Sequence, residues 1–255
     1  MDRRPLSQQL AEMIRDEVIS GRLAPGDALP TEPELAEQHS VSRQVVRDGI
    51  RILLAWGLID VKHGRGMYVT KNQSRGFGEA LLLALQRSGA SAWDVEEFEH
   101  VIYPLVARLA AERRSPEQAS ALEGSYKDYL AAVRDQADTS IIVERFRDVL
   151  RIAFEASGNQ VLAQLADPIL GLRAVRVWRN ESEMSAEEIA ELEDLYAGSV
   201  FRAIWEGRPE AAEEAARRLS LLPEEAVEAM KKTPVGRPIE IPMDLRAAGE
   251  RIREA

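Results

Sequence analysis

Apolar positions recur with helical spacing along most of the chain, and the main exception lies near residue 60. Leu6, Leu10, Ile14 and Val18 form one stripe that stops at Gly21 and predicts a first helix. A second helix is predicted to begin in Leu29-Pro30-Thr31-Glu32-Pro33-Glu34-Leu35-Ala36. There Thr31 and Glu34 have capping-box spacing, and Pro33 falls in the first turn, where a missing N–H costs no hydrogen bond. After the short turn Gln38-His39-Ser40-Val41, Ser42 is placed to cap a third helix whose Val46, Ile50, Leu53 and Leu54 share a face. Gly57 can end that helix. Ile59-Asp60-Val61 and Met67-Tyr68-Val69 then alternate as two strands around Lys62-His63-Gly64-Arg65-Gly66. The order describes a winged helix-turn-helix.

Periodicity stops and polarity rises around Lys71-Asn72-Gln73-Ser74-Arg75-Gly76, which marks a boundary. Beyond it the pattern is helical almost throughout, with bodies near Phe77 to Gln86, Ala92 to Arg113, Pro116 to Gln136, Thr139 to Ala156, Gln160 to Asn180, Ala186 to Glu206 and Pro209 to Lys231. The predicted fold is therefore mainly α, three helices and a two-stranded wing followed by an all-α bundle. The expected domains are residues 1–72, the winged helix, and 77–231, the all-α bundle. A tail, 232–255, follows, in which three prolines predict an extended linker and Asp244 to Glu254 a short helix.

The third helix carries the first candidate chemistry. Arg43, Arg47 and Arg51 fall four apart, on a face other than the apolar one, so one side packs while the other presents guanidinium groups. Those groups can contact phosphates or pair two-pronged with guanine N7 and O6. The alternative is a merely solvated basic face, and the helix, turn and wing around it weigh against that.

Composition sharpens this picture. The formal charge of −10 is unevenly spread: residues 1–75 carry 11 Lys and Arg against 10 Asp and Glu, and residues 76–255 carry 22 against 33. The arginine-bearing module is thus close to neutral, and the acidic remainder disfavours contact with DNA except in the docked orientation. With no cysteine there is no disulfide framework or thiolate metal site. No apolar run is long enough to span a membrane and no signal-like core follows Met1, which together imply a cytoplasmic protein. No Ser/His/Asp, Cys/His or phosphate-cradling glycine arrangement is present, so an enzyme is not expected.

The run Gly21-Arg22-Leu23-Ala24-Pro25-Gly26-Asp27-Ala28-Leu29-Pro30-Thr31-Glu32, with Val41-Ser42-Arg43, Val46-Arg47, Gly57-Leu58-Ile59 and Gly64-Arg65-Gly66, resembles the GntR transcriptional regulators. The resemblance implies DNA contacts at Thr31, Glu32, Ser42, Arg43, Gln44, Arg47, Lys62, His63, Gly64, Arg65 and Gly66. Two positions depart from the family. Pro33 stands where an arginine is common, which removes one contact, and Gly49 stands where alanine is common, at a helix-propensity cost of roughly 1 kcal/mol. Farther on, Ala107-Arg108-Leu109-Ala110-Ala111-Glu112-Arg113, Glu155-Ala156-Ser157-Gly158-Asn159 and Ala203-Ile204-Trp205-Glu206-Gly207 resemble the FadR-like branch with its all-α FCD effector domain. What this implies is a homodimeric regulator, expected to repress, that binds a pseudo-palindromic double-stranded operator and answers to a small-molecule effector.

Many members of that branch are described as holding a divalent metal through an aspartate, a histidine four residues later and two further histidines. Counting from the matching motifs places those ligands at Phe146, Leu150, Ala197 and Leu219, none of which can ligate, so no metal and no cofactor are expected. Two readings stay open there: a filled core with no effector, leaving a regulator that acts constitutively or through a protein partner, or an apolar cavity for an acyl or otherwise lipidic effector. Arg176 continues the stripe Leu162, Leu165, Ile169, Leu172 and is the candidate anchor for an anionic end. The alternative is a cation in the last turn that reaches water.

Overall fold

In the computed structural model, which describes residues 4–62, 66–70, 74–172, 176–180, 185–219 and 224–243, the stripe from Leu6 folds as helix α1 (Leu6–Ile19) with Leu10, Ala11 and Ile14 buried. Helix α2 (Glu32–Gln38) and helix α3 (Arg43–Ala55) follow, then strands β1 (Ile59–Lys62) and β2 (Gly66–Val69). The strands pair antiparallel from Ile59 opposite Val69 to Lys62 opposite Gly66. Leu29 adds a rung by donating its N–H to the Met67 carbonyl at 2.8 Å. Leu10, Ile14, Leu35, Val46, Leu53, Ile59 and Val69 form one core beneath these elements. Gly49 is explained by packing: a Cβ there would lie 3.1 Å from the Ser7 carbonyl and 3.3 Å from Leu10 Cδ2. A side chain there would press α3 against α1, so the glycine eases their close approach while carrying its helix-propensity cost.

The chain divides into two compact units, Met1–Phe77 and Gly78–Ala255. The second is built on helices α4 (Ser74–Ser88), α5 (Ala92–Arg113), α6 (Pro116–Arg134), α7 (Thr139–Ala156) and α8 (Gln160–Leu172). Ser91 and Ser115 start α5 and α6 with capping boxes to Asp94 and Gln118. After α8 come strand β3 (Arg176–Asn180), helices α9 (Ala186–Tyr196), α10 (Gly198–Glu206), α11 (Pro209–Arg218) and α12 (Glu224–Lys232), and strand β4 (Ile239–Met243).

Three expectations are corrected. The helix from Gln160 stops at Leu172, and Arg176 starts a strand, so it does not continue the helical stripe. Gly171 weakens the helix, Val177 and Trp178 favour extended backbone, and a partner strand is at hand: β3 pairs parallel with β4, Arg176 opposite Ile239 through Asn180 opposite Met243. The domain is thus helical with one small parallel ladder. The tail is not a free linker, since Val235 and Ile239 are buried, Ala92 donates its N–H to Thr233 at 2.8 Å and Val235 donates to Ala90 at 3.0 Å. The expected helix Asp244 to Glu254 lies outside the described residues. Finally, the helix expected over Ala186 to Glu206 is broken at Ala197 between α9 and α10, and the one expected over Pro209 to Lys231 appears as α11 and α12, with residues 220–223 outside the described residues.

Candidate DNA-contacting helix and effector core

The N-terminus of α3 is set by Ser42, whose extended backbone lets its Oγ accept from the Val45 N–H at 3.3 Å. This orients the first turn and brings Arg43, Gln44 and Arg47 to the exposed side, opposite buried Val46, Ile50 and Leu53. Arg47 does not project freely: its Nε donates to Glu32 Oε2 of α2 at 2.9 Å, tying the two helices together. Asp48 accepts from Gln44 Nε2 at 3.1 and 3.2 Å and from Arg51 Nη1 at 2.9 Å. Arg43 has no ion pair among the described residues and is the uncommitted guanidinium of this face.

Thr31 serves α2. Its N–H and hydroxyl both donate to Glu34 Oε2 at 2.7 Å, and the backbone bond first, then the hydroxyl, hold the Glu34 carboxyl below the usual carboxylate range. In the wing, Lys62 lies with its Nζ 5.1 Å from the Tyr68 ring centroid, and Gly66, at φ 100°, supplies the left-handed turn into β2. His63, Gly64 and Arg65 lie outside the described residues. Sequence reasoning overlooked Asp48, although its spacing to Gln44 and Arg51 carries the signal. The Glu32 to Arg47 pair joins two helices, and no local spacing reveals it.

In the second unit the four counted positions do come together. Leu150 (8% exposed) and Ala197 (4%) belong to one apolar core, and Phe146 and Leu219 pack against it. The Phe146 ring lies 5.1 Å from that of Tyr129 and 6.2 Å from that of Phe201. These side chains offer no lone pair, so the residues present do not fit a metal. Arg176 stands on β3, outside the helix expected to aim it at this core.

A carboxylate of α9 meets the tyrosines of this core. Glu193 accepts from the Tyr129 hydroxyl at 3.1 Å, its carbonyl accepts from the Tyr126 hydroxyl at 3.3 Å, and burial pushes its carboxyl above the usual carboxylate range. Burial, then Asp194, pushes the Tyr126 hydroxyl upward as well. A carboxyl whose proton is held more tightly in the folded state contributes stability that is full below its ordinary range and is lost as pH rises through its folded value. Glu193→Gln keeps an acceptor for Tyr129 and removes the charge. It is expected to flatten this dependence and raise the melting temperature at pH 8 by about 2–4 °C, corresponding to roughly 1 kcal/mol. Melting curves at pH 4.5 and 8 check it; a melting temperature unchanged or lowered at pH 8 contradicts it.

The capped basic helix, the helix tied to its flank and the antiparallel wing define a winged helix-turn-helix protein. Comparison with known proteins makes this particular. Residues 6–69 match the model of bacterial regulatory proteins of the gntR family, and residues 94–220 match the FCD domain. The chain belongs to the GntR family and carries an FCD domain. It is 36% identical over 141 residues, 54% of its length, to a helix-turn-helix-type transcriptional regulator of Mycobacterium tuberculosis. That match spans 56% of the relative, so the chain aligns with little more than half of that protein. It is also 28% identical over 209 residues to the galactonate operon transcriptional repressor of Escherichia coli, 78% of this chain and 87% of that one. The structure titled Streptococcus agalactiae GntR covers 84% of this chain and 96% of its own at 22% identity with a TM-score of 0.63, a likeness of fold.

Proposed function

We propose that the protein is a homodimeric, ligand-responsive transcriptional regulator that represses by binding a pseudo-palindromic operator. The observation that carries the reading is the capped α3 with Arg43, Gln44 and Arg47 on its exposed side, followed by the Lys62 wing. One such module reads only a few base pairs, too few to define a genomic site, so a two-fold pair is required. Of the relatives, the galactonate operon regulator is named a repressor, whereas the Glc operon regulator of Escherichia coli, 25% identical over 220 residues, is named an activator. A reporter assay on the cognate promoter decides the sign.

For the effector we propose an acyl or otherwise lipidic molecule that needs no metal and meets Phe146, Leu150, Ala197 and Leu219. These positions lie together on one apolar core. Burying a small carboxylate against them would cost several kcal/mol, whereas an acyl chain gains roughly 0.8 kcal/mol per buried CH₂. The packed rings of Tyr129, Phe146 and Phe201 favour a second reading, a filled core in a regulator that acts without a ligand. A thermal-shift series of acyl-coenzyme A esters, fatty acids and short dicarboxylates, with and without EDTA, separates them. Stabilisation that grows with chain length and ignores EDTA supports the lipidic effector. No shift with any compound favours the filled core, and an EDTA-sensitive dicarboxylate shift overturns both.

A further inference from the structure

Gln44, Asp48 and Arg51 follow one another along α3 at spacings of four and three, so they form one line on its surface. Both Asp48 oxygens lie within hydrogen-bond distance of Gln44 Nε2, at 3.2 and 3.1 Å, and Oδ1 also accepts from Arg51 Nη1 at 2.9 Å. An ionised carboxylate only accepts. The Gln44 amide is therefore fixed with its NH₂ toward Asp48 and cannot be flipped without losing both contacts. Arg51 anchors Asp48 from the other side and offsets its charge close to where DNA phosphates would pass.

The tether leaves a defined pattern unspent. An amide nitrogen has two hydrogens, and Asp48 takes one, so Gln44 still offers one N–H beside one carbonyl oxygen in a fixed order. In the major groove adenine presents the complement, an acceptor at N7 beside a donor at the N6 amino group. Guanine presents two acceptors, thymine an acceptor and a methyl group, and cytosine a donor alone. A preset amide saves the ordering that a free glutamine would have to supply on binding.

We propose that Asp48 is a positioning residue that presets Gln44 to read one adenine in each operator half-site. This rests on the reading of α3 as the DNA-contacting helix. Asp48 acts through Gln44, so its loss is expected to change which base is chosen at one position and to leave the general hold on DNA in place.

The test is enrichment of a randomised duplex library by the full chain, by Gln44→Ala and by Asp48→Asn, with Asp48→Ala as a second variant and circular dichroism to confirm that each folds. Expected is an adenine preference at one position per half-site in the wild type that is absent in Gln44→Ala. In both Asp48 variants the same preference should fall about tenfold, with the other positions unchanged. Asp48 variants that keep the wild-type adenine preference overturn the proposal, and so does an equal loss at every position, which would mark a structural role. If the wild type enriches no sequence, the DNA-binding reading fails and the proposal with it; if it enriches one in which Gln44→Ala changes nothing, only the proposal fails.

Discussion

A chain ending at Lys232 is expected to melt its C-terminal unit on the order of 10 °C lower than the full protein. The segment that follows lies beyond the matched FCD domain, which ends at residue 220, yet it docks on α4 and the start of α5. Val235 is fully buried with Val95 and Leu172, beside Leu81, Leu82 and Leu85 of α4, and Ile239 packs with Ala92, Ala226 and Met230. Gln86 Nε2 donates to the Val235 carbonyl at 3.3 Å. At Gly236, φ is 75° and a Cβ would come within 2.8 Å of Leu82 Cδ1, so the turn is fitted to α4. Removing the segment deletes two buried aliphatic side chains and uncovers their neighbours. At about 1.5–3 kcal/mol per aliphatic side chain this amounts to roughly 3 kcal/mol or more, and a unit of this size moves about 2–4 °C per kcal/mol. Scanning calorimetry of the truncated and full chains measures it, with Val235→Ala expected to give a smaller shift of the same sign. A melting temperature within a degree of the full chain contradicts this account.

That segment also marks where sequence reading stops. The winged helix was legible because its signals are local: the Thr31 to Glu34 box, the Ser42 cap, the face of Val46, Ile50 and Leu53, and the alternation around the wing all act within a few residues. β3 and β4 are about sixty residues apart and form only because each completes the other. Three prolines near the C-terminus suggested a linker, although the alternation Ile239-Glu240-Ile241 was the available sign of a strand. The same limit applies to the candidate sites. Arg43 and Arg47 were readable from spacing, but the partner of Arg47 sits on another helix, and Glu193 looked like one more acid in the run from Glu187 to Asp194 until burial and Tyr129 set it apart.

Arg43→Ala is expected to cost operator binding more than Arg47→Ala, although the two arginines occupy one exposed face. A guanidinium that pairs two-pronged with a base carries about 1–3 kcal/mol of discrimination, the range expected for Arg43, which has no ion pair to give up among the described residues. Arg47 must leave or share Glu32, and an exposed ion pair of that kind holds up to about 1 kcal/mol, which comes off the net gain. The unpaired Glu32 would then face the DNA backbone. Glu32→Gln is therefore expected to tighten binding in a background that keeps Arg47 and to change it less in the Arg47→Ala background. Lys62, on the wing strand beside Tyr68, should behave differently. Its replacement by Ala is expected to weaken selected and scrambled duplexes alike and to lower the salt slope of the affinity by about one. Titrations of both duplexes at several salt concentrations separate the cases. Equal losses for the two arginine variants remove the role assigned to Glu32, and an unchanged preference for the selected duplex in Arg43→Ala removes Arg43 from base readout.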